Sequence, residues 1–241
     1  MCLAAAAQSA VGFGYALFAT PLLVWIGIPL PNVITLVATC SMIQAIIGAR
    51  TLRATVPWRL SLTATSVRLA SVVVGLVLLK KLASLNPDHV RAVIGCVLCI
   101  LVASQMLWRP VVVKALHWGW GGLAFVGSGL LAGAVGMGGP PLVLWSMAHD
   151  WSTQKTRGFL FAVFATSIPF QIVLLSLTFG RSILWYAVIG IAFLPLVYLG
   201  AAMGLPVGNR MEKNRLRGIA YAILFAIGIS AAGPFLVTSL Q

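Results

Sequence analysis

The sequence predicts an all-α polytopic membrane protein of about eight transmembrane helices, arranged as two four-helix repeats whose first helices are broken. Three observations carry this expectation. Of 241 residues, 61% are hydrophobic and 8% are charged, with a mean hydropathy of +1.05. A water-soluble fold of this size has no means of hiding so much apolar surface. Apolar runs of the ~20 residues that a helix needs to cross a bilayer follow one another almost end to end. Finally, short blocks from the first half recur in the same order in the second.

The spans fall between charge clusters. Leu3–Ile28 comes first, interrupted by Gly12, Gly14 and Pro21, and no basic segment marks it as a secretory signal. Val33–Ala49, Leu60–Leu79 and Val90–Trp108 complete the first half. Trp118–Gly139, with its extension Pro140–Ala148, opens the second, followed by Gly158–Phe179, Ile183–Gly204 and Leu216–Leu240. The division falls into residues 1–110 and 111–241, both halves in one integral membrane domain. Seven of the tryptophans sit near span ends and read as an interfacial belt.

The net charge of +13 is spread over short loops, with no basic face to track phosphates, so nucleic acid is excluded as a partner. Loops after the second, fourth and sixth spans hold six of the cations and the alternate loops nine. That bias makes the second set cytoplasmic and sends both termini outward. Cys96 and Cys99 have C-x-x-C spacing but lie in an apolar helix without a partner pair, so they read as buried, inert thiols. No metal site and no cofactor is expected.

The repeat is the most informative feature. "AVGFG" at Ala10–Gly14 matches "AVGMG" at Ala134–Gly138, and "PLLVW" from Pro21 matches "PLVLW" from Pro141. "ATCSMIQ" from Ala38 aligns with "ATSIPFQ" from Ala165, and the region from Val72 echoes that from Val197. With four spans per copy, the copies should share one orientation about an axis along the membrane normal.

Glycine and proline in an apolar run free backbone groups, which membrane proteins tolerate only beside protein or a water-filled cavity. Breaks at corresponding places in both halves therefore point to a transport site. In the first copy Thr20 reads as an N-cap and Pro21 as the first helical residue. In the second, Gly136, Gly138 and Gly139 release the helix, and Pro140 and Pro141 restart it. Two half-helix N-termini meeting at mid-membrane would favour an anion. Gly129 and Gly133 read instead as a close-packing pair.

Arg68 lies near the middle of the third span, where a charge costs at least ~2.5 kcal/mol on insertion scales. The chain's three carboxylates, Asp88, Asp150 and Glu212, all fall in loops. The guanidinium must then pair with carbonyls, water or a transient anion, and its planar fork suits a sulfonate or carboxylate. Thr39 and Gln44, with Thr166, Ser167 and Gln171, form a repeated polar set able to line a path from both sides; interhelical hydrogen bonding is the alternative reading.

"AQSAVGFGYALFATPLLVWIG" and "GLLAGAVGMGGPPLVLW", in an eight-span two-repeat layout, resemble the TauE/SafE sulfite exporter family over nearly the whole chain. The resemblance implies a bacterial inner-membrane permease for small sulfur-containing or other organic anions, with its site near Gly12, Gly14 and Pro21 and near Gly136, Gly138, Gly139 and Pro141. "GMGGPP" departs from the family in placing a proline where many members have a third glycine. The expected partners are a small anionic substrate and the lipid bilayer, with a homo-oligomer left open. A passive channel for another small metabolite is the alternative, ahead of an accessory subunit or an intramembrane enzyme.

Overall fold

A computed structural model describes residues 1–2, 4–6, 14–107, 117–210, 218 and 222–230. These residues are helical throughout, apart from turns. The helices are α1 (Tyr15–Trp25), α2 (Leu30–Thr51), α3 (Trp58–Ala83), α4 (Pro87–Leu107), α5 (Trp118–Val135), α6 (Gly139–Met147), α7 (Thr153–Phe179), α8 (Leu184–Ala192) and α9 (Leu194–Arg210). A 3-10 turn, Arg181–Ile183, leads into α8, and residues 222–230 are helical.

Five of these, α2, α3, α4, α5 and α7, are long and apolar enough to cross a bilayer, and the α8–α9 pair makes a sixth that is bent by 46°. The protein is a multi-span membrane protein. The eight spans read from the sequence are not all present as crossings among the described residues: most of Leu216–Leu240 lies outside them, and two further departures are structural. First, α1 has only 11 residues. Second, α6 does not extend α5 but turns back along it. Gly136, at φ 75°, ends α5 in the left-handed region that favours glycine, and the Met137 N–H closes on the Leu131 carbonyl at 3.2 Å. The chain then reverses. Ser128 donates to the Gly138 carbonyl at 2.6 Å, Pro141 packs beside Gly127, and Trp145 reaches Gly121. A helix of nine residues covers about 13 Å, half a bilayer core, so α5 and α6 form a hairpin that re-enters from one end.

This reversal corrects the orientation expected of the repeats. The loop following α2 and the loop following α6 lie at the same end: Thr55 Oγ1 donates to the Gln154 carbonyl at 3.5 Å, and Gly158 packs against Leu52, Thr55 and Val56. At the opposite end Arg91 Nη2 donates to the Trp25 carbonyl at 3.4 Å. The helices with the matching "ATCSMIQ" and "ATSIPFQ" blocks, α2 and α7, run antiparallel, with Gly48 against the Phe161 ring. Equivalent segments therefore point in opposite directions. A glycine break shows where a helix stops, not which way the chain leaves it.

The core is built around α3 and α5, which run parallel in close contact. Gly75 meets Leu130, Gly133 and Ala134, Gly133 meets Val72, and Gly129 meets the Arg68 carbonyl; a Cβ on any of them would collide with backbone. The expected packing role of Gly129 and Gly133 is the observed one. Two apolar clusters flank this contact, one reaching from Tyr15 and Val33 to Leu98, the other comprising Phe125, Trp145, Phe159 and their neighbours. Gly200 and Gly228 make similar close approaches, to Cys2 and Ala5 and to Gly95 and Cys99.

Candidate functional site

The glycine-mediated approach of α5 to α3 has a chemical consequence. It brings Ser128 beside Arg68, a side chain only 3% exposed. Arg68 Nε donates to Ser128 Oγ at 3.1 Å, and its Nη1 donates to the Ser167 hydroxyl of α7. The guanidinium carbon stands 5.6 Å from the centroid of the Phe164 ring, also on α7. Ser128 passes the contact on, since its own hydrogen goes to the Gly138 carbonyl at the hairpin turn. Arg68 Nη2 lies against Gly138, where a Cβ would come within 3.2 Å of it.

Arg68 thus holds together α3, the α5–α6 hairpin and α7 without an acidic partner among the described residues. Asp88 pairs with Arg91 at 3.1 Å at the start of α4, and Asp150 is exposed. Glu212 lies outside the described residues. Hydroxyls orient a guanidinium but do not neutralise it, so a buried positive charge remains uncompensated.

That charge faces a cavity of about 100 Å³. The start of α1 (Gly14 to Leu17) and the turn into α6 (Gly136 to Pro140) form two of its walls. Ile34, Val37, Ala38, Ser41 and Ala45 of α2 face Arg157, Leu160, Phe161, Phe164, Ile168 and Gln171 of α7 across it. Both short helices begin here, each behind a glycine: Gly14 at φ 104° precedes α1, and Gly138 precedes α6. The free N-terminal amide groups of α1, and those of Gly138 and Gly139 ahead of the two prolines of α6, add partial positive charge to that of Arg68. Most of the remaining lining is apolar.

The residues singled out in the sequence divide accordingly. Gly14, Arg68, Gly136, Gly138, Gly139 and Gln171 line the cavity, and Ser167 binds the guanidinium. Gln171 is oriented by its own bond, Nε2 donating to the Ala132 carbonyl at 2.9 Å. The others sit elsewhere. Thr20 and Pro21 are inside α1 rather than at its start, because the helix begins at Tyr15; both are buried, and Thr20 Oγ1 has no partner among the described residues. Pro140 lines the cavity in place of Pro141, which packs beside Gly127. Thr39 donates to the Thr35 carbonyl at 2.9 Å, and Thr166 pairs with Thr65 at 2.7 Å, both away from the cavity. Gln44 is half-buried off the cavity wall, with Nε2 unpartnered among the described residues. Gly12 lies outside the described residues.

Three participants escaped the sequence reading. Ser128 was legible only as one hydroxyl in an apolar run, ten residues before the turn it bonds. Phe164 was indistinguishable from any span aromatic. Arg157 resembled an ordinary loop cation because it lies four residues into α7.

No curated protein and no solved structure matches the chain. The family model described as Sulfite exporter TauE/SafE matches residues 1–231, and a buried cation facing a cavity between two helix breaks is consistent with that match: the chain belongs to the TauE/SafE sulfite exporter family.

Proposed function

We propose that this protein is a secondary permease that moves small organosulfur or related anions, such as sulfite or a sulfoacetate-like ion, outward across a bacterial inner membrane. The family is one of exporter-type membrane transporters. The observation that carries the reading for this chain is Arg68: a buried guanidinium, held by two serine hydroxyls and unmatched by any described carboxylate, lines the cavity at which both short helices begin. An anion entering from water would find there the charge and donors it loses on dehydration.

The distribution of charge in the corrected topology supports a cavity that opens to the cytoplasm, as export of a cytoplasmic anion requires. Among the described residues, Arg50, Arg53, Arg59, Lys155, Arg157 and Arg210 belong to the end that holds Thr55 and Gln154, and Lys80, Lys81, Arg91 and Arg181 belong to the other. Six against four favours the first end as the cytoplasmic one. The cavity reaches that end, because Arg157 is the one exposed residue among the described residues lining it. A cavity open to one end fits a carrier better than an open channel.

Flux of labelled sulfite, sulfoacetate, sulfate and acetate in proteoliposomes tests this, using the native chain and Arg68→Gln. Saturable flux of a sulfur anion that disappears in Arg68→Gln is the expected result. Equal flux in both proteins would remove Arg68 from the path. Folded native protein that moves none of the four would defeat the reading.

A further inference from the structure

We propose that Arg157 is the outer, capturing station of the anion path and Arg68 the inner one, so that two guanidiniums handle a small anion in succession. This rests on the permease reading above. Both arginines line one cavity, yet their environments are opposite: Arg157 is exposed and Arg68 is 3% exposed. Each sits over a phenylalanine of the same helix. Arg157 lies 5.8 Å from the Phe161 centroid and Arg68 lies 5.6 Å from that of Phe164. Residues 161 and 164 are three apart in α7 and therefore share a face. The result is a short ladder of charge and ring from water to the cavity floor.

The outer rung is a built position. The Phe161 ring is seated against Gly48 of α2, where even a methyl group would collide with it, so the ring under the Arg157 guanidinium has a fixed place. Stacking on a ring face leaves the N–H edges of a guanidinium free for an anion. Arg157 has no acidic partner among the described residues to compete for those edges. Arginine is also weakly hydrated, so an anion is readily passed on from it. Around the floor the cavity lining is otherwise apolar, with Ile34, Val37, Val143, Leu160 and Ile168, so Arg68 is the one charged group there among the described residues.

A neighbour provides the control. Lys155 stands 5.1 Å over the Trp151 ring, two residues from Arg157, but does not line the cavity. It shares the local positive field without facing the path.

The test is initial-rate transport of sulfite and sulfoacetate, started from the Arg157 end of proteoliposomes of uniform orientation, for the native chain, Arg157→Gln, Arg157→Lys and Lys155→Gln. Loss of the outer station should raise the half-saturating concentration on the order of tenfold at low ionic strength, with the maximal rate retained. The difference should shrink as salt screens the exposed charge, Arg157→Lys should recover part of it, and Lys155→Gln should behave as native. An unchanged half-saturation in Arg157→Gln, or an equal shift in Lys155→Gln, would overturn the proposal while leaving the permease reading intact. A native chain that moves neither probe nor any other small anion would bring down both.

Discussion

Two crossings in this molecule occupy equivalent places and have been filled in opposite ways. Where α3 passes α7, Thr65 pairs with Thr166 at 2.7 Å and Arg68 bonds Ser167. Where α2 passes α8, the residues that internal similarity makes equivalent are Thr39 and Cys40 against Gly190, with Phe193 in the place of Arg68. There Thr39 packs directly on Gly190, and Cys40 Sγ donates to the Gly190 carbonyl at 3.4 Å. One crossing is polar and charged; the other is closed by a glycine and a thiol. Phe193 also marks the 46° bend between α8 and α9, whereas α3 is continuous through Arg68. The comparison teaches that two crossings of similar sequence can be filled differently, and that a buried guanidinium is needed at only one of them.

The contrast can be broken most severely at Arg68. Arg68→Leu, which keeps the apolar bulk but removes charge and donors, should lower transport at least about a hundredfold, as expected when charge-assisted bonds of about 1.5–3 kcal/mol each are lost together. Rates from equal amounts of inserted protein check this. Next is the contact that places Arg68: Gly129→Val should overpack the α3–α5 interface by about 1–3 kcal/mol, read as a lower Tm in detergent and a smaller folded fraction.

Ser167→Ala should weaken anion handling roughly tenfold by freeing Nη1 from its orienting hydroxyl. Cys40→Ala, its counterpart across the molecule, should change flux less than about twofold, since the thiol makes only a weak bond. If the two variants behave alike in flux assays, the asymmetry between the crossings is not functional. The smallest effect is expected of Thr166→Val, about 1 kcal/mol of stability and little in rate, measured by thermal melts alongside flux.

Much of this was legible in the sequence, and the limits are physical. Span positions follow from apolar length, so α2, α3 and α7 contain the runs read directly from the chain, and α4 covers Val90–Leu107 of the fourth. Arg68 stood out because a charge in the middle of an apolar helix has few innocent explanations. Gly136 and Gly138 stood out because broken helices need somewhere to put their backbone groups. The direction of the chain after Gly136 was not legible: it depends on Ser128, Gly127 and Gly121 offering a surface to α6, which is a tertiary fact. That single reversal also regrouped the loop cations, bringing Lys155 and Arg157 to the same end as Arg50, Arg53 and Arg59. Thr20 was misread as a cap because Pro21 follows it, although Gly14 was free to start the helix six residues earlier.

The one-sided cavity has an electrical consequence. With the Arg157 end cytoplasmic, as proposed above, water entering the cavity would carry the cytoplasmic potential toward the floor at Arg68. The transmembrane voltage, worth about 2.3 kcal/mol per elementary charge for each 100 mV, then falls mainly across the thinner protein layer on the far side of the hairpin turns. A monoanion gains or loses little electrical energy in reaching Arg68 and nearly all of it in leaving outward. Membrane potential should therefore act on the release step, and an interior-negative cell would drive the anion out without any further energy source.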